Sequence, residues 1–224
     1  MKLQVEHPWN VTTAKARAIQ ERLRSRVSRR RFRGRVQHVA GVDISVKNNR
    51  AIAAIVVLEF PSLEIVDVAL AEQPVPFPYV PGLLSFREIP SILLAAKKLK
   101  LDPDLLLIDG QGIAHPRRFG LASHLGVLLN KPTIGCAKSR FIGTHDEPHE
   151  NAGYYTDLLD GEELIGAVLR TRTNVKPLYI SVGHQLDLPT ALDLVLECCA
   201  GYRLPEPTRL AHQAAGGALC WKPH

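Results

Sequence analysis

Apolar residues recur at Ala16, Ile19, Leu23 and Val27, a spacing of three and four that lays one stripe along a helix. The pattern predicts a helix over 12–30 with arginines on its remaining faces. The period then shortens. RVQHVAGVDISV (35–46), AIAAIVVLEF (51–60) and LEIVDVAL (63–70) read as three strands. KNNR and PS separate them, and Asn48 and Asn49 tolerate left-handed turn geometry, so the three form an antiparallel meander. Further on, SILLAAKKLKL (91–101) predicts a helix, LLLIDG (105–110) a short buried strand, FGLASHLGVLLN (119–130) a helix and PTIGCAKS (132–139) a strand. That alternation calls for parallel pairing with right-handed crossovers. Residues 140–162 are polar and read as irregular, ELIGAVLRTR (163–172) and PLYISVGH (177–184) as a hairpin near one edge. LPTALDLVLECC (188–199) and PTRLAHQAA (207–215) read as helices.

Three antiparallel strands followed by parallel strands make a mixed α/β sheet with helices on both faces. That order resembles the ribonuclease H-like fold. The expectation is a single domain over 1–224, with an Arg-rich N-terminal helix (1–34), a core (35–215) and a frayed tail (216–224). A hydrophobic content of 46% is enough for a sizeable core. No apolar run approaches the ~20 residues of a membrane span, and MKLQVEHPWN lacks the apolar stretch of a signal peptide. The chain therefore reads as a soluble, cytoplasmic monomer. Cys136, Cys198, Cys199 and Cys220 form no C-x-x-C pair, which argues against a zinc site or a disulfide framework.

Charge changes the picture more than composition does. Residues 15–35 hold ten Lys or Arg and one acid, Glu21; this local +9 leaves the other residues at −3. Ten like charges repel one another on a solvated helix, whereas a polyanion such as nucleic acid relieves them.

Two acids stand in apolar surroundings. Asp43 lies inside VAGVDISV, and an unpaired buried carboxylate is costly, so it meets backbone donors, a proton or a cation. Asp109 ends LLLIDG, at the carboxyl end of a parallel strand, where open α/β sheets place their sites; a turn-starting Asp before Gly110 is the plainer alternative. If the fourth strand pairs with the first, the two acids become neighbours, and such a pair suits Mg2+ or Mn2+. Glu88 is ambiguous. SFRE (85–88) fits a capping box, yet Pro90 disturbs that helix start, and a third acid there would face the first two. His212, near the start of the last helix, is the histidine best able to close a four-ligand cluster.

GVDIS, FPYVPGLLSFRE, LLLIDGQGIAHPRRFGLASHLG, TIGCAKS, SVGHQLDL and GYRLPEPTRLAH together resemble the endonuclease V (deoxyinosine 3′ endonuclease) family, in order from about residue 40 to 212. The resemblance implies a Mg2+-dependent DNA-repair hydrolase, with Mn2+ as a substitute. It would nick at the second phosphodiester bond 3′ to deoxyinosine, a deaminated adenine, leaving 3′-hydroxyl and 5′-phosphate. It makes Asp43, Glu88, Asp109 and His212 the metal ligands, the fourth position accepting Asp or His. It sets Lys138 by the scissile phosphate. Tyr79 becomes a wedge that fills the gap left by the extruded nucleotide, stiffened by Pro78 and Pro81. Gly82, Leu84 and Gly110 line the base pocket, and His115 helps place the strand or the water. His184 is left as structural or phosphate-contacting. Two rivals stay open: the same nuclease acting on inosine-containing RNA, and a non-catalytic nucleic-acid-binding protein.

Overall fold

The computed structural model describes residues 1–30, 32 and 34–221. Arg31 and Arg33 of the basic segment and residues 222–224 of the tail lie outside the described residues. Eight strands form one sheet in the order β3-β2-β1-β4-β5-β8-β7-β6. The meander is β1 (His38–Lys47), β2 (Arg50–Glu59) and β3 (Ile65–Pro74), paired antiparallel. Its first turn has positive φ at both Asn48 and Asn49, the geometry a two-residue hairpin favours. β4 (Leu105–Ile108) joins β1 in parallel, and β5 (Thr133–Ala137) joins β4 in parallel. β8 (Leu178–His184), β7 (Glu163–Leu169) and β6 (Tyr155–Asp160) complete the sheet by antiparallel pairing. The ribonuclease H-like order expected from the pattern is therefore present.

The differences have local causes. The first helix, α1, spans only Thr13–Leu23 and tightens into a 3₁₀ turn over Arg24–Arg26, short of residue 30. Beyond it the backbone is claimed elsewhere: Ser28 N–H donates to His184 Nδ1, and the Ser28 carbonyl accepts from Gln185 N–H. The second helix, α2, starts at Leu84 rather than 91 and runs to Ala96 with Pro90 inside it. Proline in a helix interior costs about 3 kcal/mol. Phe86 and Ile89, both fully buried, offset that, each contributing roughly 1.5–3 kcal/mol. β6 falls in the stretch that reads as irregular, because only Leu158 of its six residues is buried and no alternation shows. It takes the sheet edge itself, with the expected antiparallel pair β7–β8 beside it. In the tail, Leu219 packs against the core.

Helices cover both faces. α2 and α3 (Leu121–Leu129) pack on one side; α4 (Leu188–Glu197) and α5 (Glu206–Ala215) pack on the other. The stripe of α1 joins Phe77, Leu83, Phe86 and Phe119 in a smaller cluster beside the first face. No helix among the described residues is long and apolar enough to cross a membrane. All four cysteines are free thiols.

Candidate active site

The register of the two central parallel strands builds the site. Val42 of β1 stands opposite Ile108 of β4, so the next residues, Asp43 and Asp109, emerge side by side. The Asp109 N–H donates to the Val42 carbonyl at 3.1 Å and holds that alignment one residue beyond the strand. Helix α5 brings the third group. A Cβ on Gly41 would stand 1.8 Å from the Pro207 carbonyl oxygen, so only glycine lets α5 lie this close to β1. From Pro207 to His212 the helix rises about 7.5 Å. From Gly41 to Asp43 the strand advances about 6.6 Å, and the imidazole arrives over the carboxylate. His212 Nδ1 lies 2.7 Å from Asp43 Oδ2. His212 sits in the last turn of α5, not near its start as the sequence suggests.

Asp43, Asp109 and His212 each offer one atom within 4.8 Å of the others. The Lys138 ammonium, one residue beyond β5, pairs with Asp109 Oδ2. Glu88 lies outside that trio, on α2, but close enough to feel both charges. Burial, then repulsion from Asp43 and Asp109, pushes its carboxyl up to about 8. Asp43 is also raised, first by burial and then by Asp109, against the opposing hydrogen bond from His212. Both shifts share a cause, since carboxylates brought close together repel one another, and a bound cation would relieve that repulsion. Carboxylate oxygens with one imidazole form a donor set that fits Mg2+ or Mn2+.

The capping reading of Glu88 does not survive. Leu83 is the N-cap of α2 and makes no side-chain cap bond, and the Ser85 hydroxyl bonds His124 Nδ1 instead.

The FPYVPG loop stands beside this cluster. Phe77 and Leu83 are buried anchors, and between them Tyr79 is 68% exposed, the most open of the large apolar side chains among the described residues. Val80 to Leu83 closes a turn through the Leu83 N–H to Val80 carbonyl bond, with Gly82 at φ +77°. That is a type II turn, which needs glycine at its third position and favours proline at its second. The Arg87 guanidinium lies 5.9 Å from the Tyr79 ring centre.

Tyr79, Pro81, Gly82, Leu84, Gly110 and His115 all line one cavity of about 360 Å³. A second cavity of about 320 Å³ contains Asp43 and His212, and Asp109 and Lys138 belong to the walls of both. His115 is held neutral: burial and the nearby Arg117 charge lower its pKa to about 4. Its Nδ1 accepts the Arg117 backbone N–H, so Nε2 carries the proton and donates to the Gly82 carbonyl at 3.0 Å. His115 thus braces the loop from behind. His184 lies away from both cavities' linings: it is buried, its Nδ1 accepts from the Ser28 N–H, and burial lowers its pKa to about 4.

Three lining residues were not visible from the sequence. Phe141, whose ring lies 5.6 Å from that of His115, comes from the stretch that reads as irregular. Gln111 follows the DG pair and bonds the Ser139 carbonyl. Gln20 falls on the buried stripe of α1, four residues after Ala16, and a polar residue on a docking face was the available signal.

Comparison with known proteins fits this geometry. The family model for endonuclease V matches residues 21–213. Endonuclease V from Trichormus variabilis is 53% identical over 218 residues, covering 96% of this chain and 99% of that protein. The crystal structure of endonuclease V from Streptomyces avermitilis superposes with a TM-score of 0.90 at 43% identity, over 97% of each chain. The Ciona intestinalis enzyme, solved with a 23mer DNA containing an inosine followed by a ribo-adenosine, gives 0.80 at 32% identity over 92% of this chain and 98% of that one. The fold is ribonuclease H-like, and the relatives that share it are nucleases, a class of hydrolase. Within that class the chain belongs to the endonuclease V family.

Proposed function

We propose that this protein is a DNA-repair endonuclease that recognises deoxyinosine and nicks the strand at the second phosphodiester bond 3′ to it, leaving 3′-hydroxyl and 5′-phosphate. One observation carries the reading: the cavity under the aromatic-tipped loop and the cavity of the acids share the Asp109–Lys138 wall. A base held in the first leaves its 3′ backbone running towards the second. The inosine-containing DNA bound by the Ciona protein supports the substrate class.

Tyr79 enters the duplex and replaces the stacking of the extruded nucleotide. Extrusion costs a few kcal/mol and less for a mispaired base, which favours the lesion. Pro81 and Gly82 hold the wedge in a fixed turn, so little entropy is lost on insertion. Gly82, Leu84 and Gly110 admit the base to close backbone approach, and His115 keeps the Gly82 carbonyl in place. Asp43, Asp109, Glu88 and His212 would hold Mg2+, or Mn2+ in its place, which would supply positive charge against that building on the phosphate and the departing 3′ oxygen. Lys138 presents its ammonium at the same wall and steadies the developing charge. The protein acts as a monomer in the cytoplasm, on a single catalytic domain.

The ribo-adenosine in the Ciona complex favours a second reading, action on inosine in RNA. One assay addresses both. Labelled strands with one inosine, as DNA duplex and as RNA, are incubated with Mg2+ or EDTA. Mg2+-dependent nicking at the stated bond is expected, with Asp43→Ala below detection and Tyr79→Ala about tenfold slower on duplex. Cutting of RNA alone would move the substrate; cutting of neither would remove the nuclease reading.

A further inference from the structure

A buried glutamine on the N-terminal helix ties that helix to the loop that carries Tyr79. Gln20 is 1% exposed, and both ends of its amide are committed. Its Oε1 accepts from Arg117 Nε at 2.6 Å, which fixes the orientation of the amide. Its Nε2 then donates to the Gly82 carbonyl at 3.0 Å and the Phe119 carbonyl at 3.2 Å. The same Gly82 oxygen accepts from Arg117 Nη2 at 2.6 Å and His115 Nε2 at 3.0 Å. Three donors from two segments, α1 and the loop that carries His115 and Arg117, thus converge on one carbonyl oxygen. That oxygen belongs to the third residue of the turn that follows Tyr79. A turn closed by one backbone bond can rock; a turn whose carbonyl is held from three directions cannot.

We propose that Gln20 is a positioning residue for lesion recognition: with Arg117 and His115 it clamps the Gly82 carbonyl and sets the angle at which Tyr79 enters the duplex. This rests on the wedge role proposed above for Tyr79. It also gives the buried face of α1 a part in recognition, separate from whatever phosphate contacts its exposed arginines make.

The test separates extrusion from chemistry. Gln20→Met keeps the side-chain length and removes both polar ends. 2-Aminopurine beside a deoxyinosine in duplex DNA, with EDTA present, reports unstacking by fluorescence; nicking is then measured on the duplex and on a single strand, which has no stack to fill. In the protein as proposed, Gln20→Met loses most of the fluorescence rise and about ten- to a hundredfold in duplex nicking. Single-strand nicking falls at least several-fold less than duplex nicking, and Gln20→Met with Tyr79→Ala is no worse on duplex than Tyr79→Ala alone. Equal losses on duplex and single strand, or additive losses in the double variant, would overturn the proposal in favour of a purely structural amide. Should Gln20→Met fold poorly, Arg117→Met breaks the same clamp from a half-buried position and is held to the same outcomes. A normal Gln20→Met beside an impaired Tyr79→Ala sinks the clamp alone; an unimpaired Tyr79→Ala sinks the wedge reading with it.

Discussion

At the scale of single residues, Glu88 shows what the acid cluster costs the free protein. Its carboxyl, pushed up to about 8, binds a proton in the folded state across a range in which the unfolded chain has lost it. The folded state holds more protons there, so this group's stabilising contribution is intact below the ordinary glutamate range. It declines as pH rises towards 8. Glu88→Gln removes that penalty. In EDTA at pH 8 the variant is expected to melt roughly 3 °C above wild type, with the gap closing towards pH 5. Saturating Mn2+ reverses the order, because the wild type alone adds the Glu88 carboxylate to the three other ligands. Thermal melts at the two pH values, with and without Mn2+, check this; a variant that never exceeds wild type in EDTA would remove Glu88 from the cluster. Asp43 and Asp109 were legible in the sequence because an acid within or closing an apolar strand demands a partner. Gln20 was not, since a single amide on a helical stripe reads as tolerated polarity until its three partners are in place.

At the scale of elements, the site depends on how closely α5 lies on β1. Gly41→Ala would drive a methyl into the Pro207 carbonyl, 1.8 Å from its oxygen and 2.0 Å from its carbon, and neither is a flexible side-chain end. The helix must move, and His212 moves with it. The expected loss is about 1–3 kcal/mol of stability, as for other overpacked cores. Titration calorimetry should show weakened Mn2+ binding, by about tenfold if the imidazole is displaced by an ångström. Mn2+ affinity equal to wild type would show that α5 does not set the ligand geometry. Strand pairing was largely legible, because the meander and the Asp43–Asp109 adjacency follow from period and crossover rules. The start of α2 was not: Pro90 reads as a helix boundary, and the burial of Phe86 and Ile89 overrides it. β6 left no signal, since an edge strand that buries one residue has no hydrophobic pattern to show.

At the scale of the molecule, charge and lesion recognition are carried by different parts of the same N-terminal segment. The buried face of α1, with Ile19 and Leu23, joins the cluster that anchors Phe77 and Leu83 of the wedge loop. Its open faces carry Arg17 and Arg22, and the 3₁₀ turn that follows carries Arg24; all three are exposed. Deleting the segment would therefore confound folding with binding, whereas neutralising exposed arginines would not. Replacing Arg17, Arg22 and Arg24 by glutamine leaves the apolar stripe and Gln20 untouched. Each phosphate that an arginine no longer neutralises lowers the slope of log affinity against log salt by about 0.9, so the triple variant should give up as much as about 2.7 of that slope. Its ratio of affinities for deoxyinosine and undamaged duplex should hold, because binding to a phosphate carries no base information. Fluorescence anisotropy on both duplexes from low to physiological salt measures the two quantities together. A slope equal to wild type would mean that the +9 segment does not face the duplex. A ratio that collapses with the slope would mean that the arginines and the wedge act as one unit through the amide of Gln20.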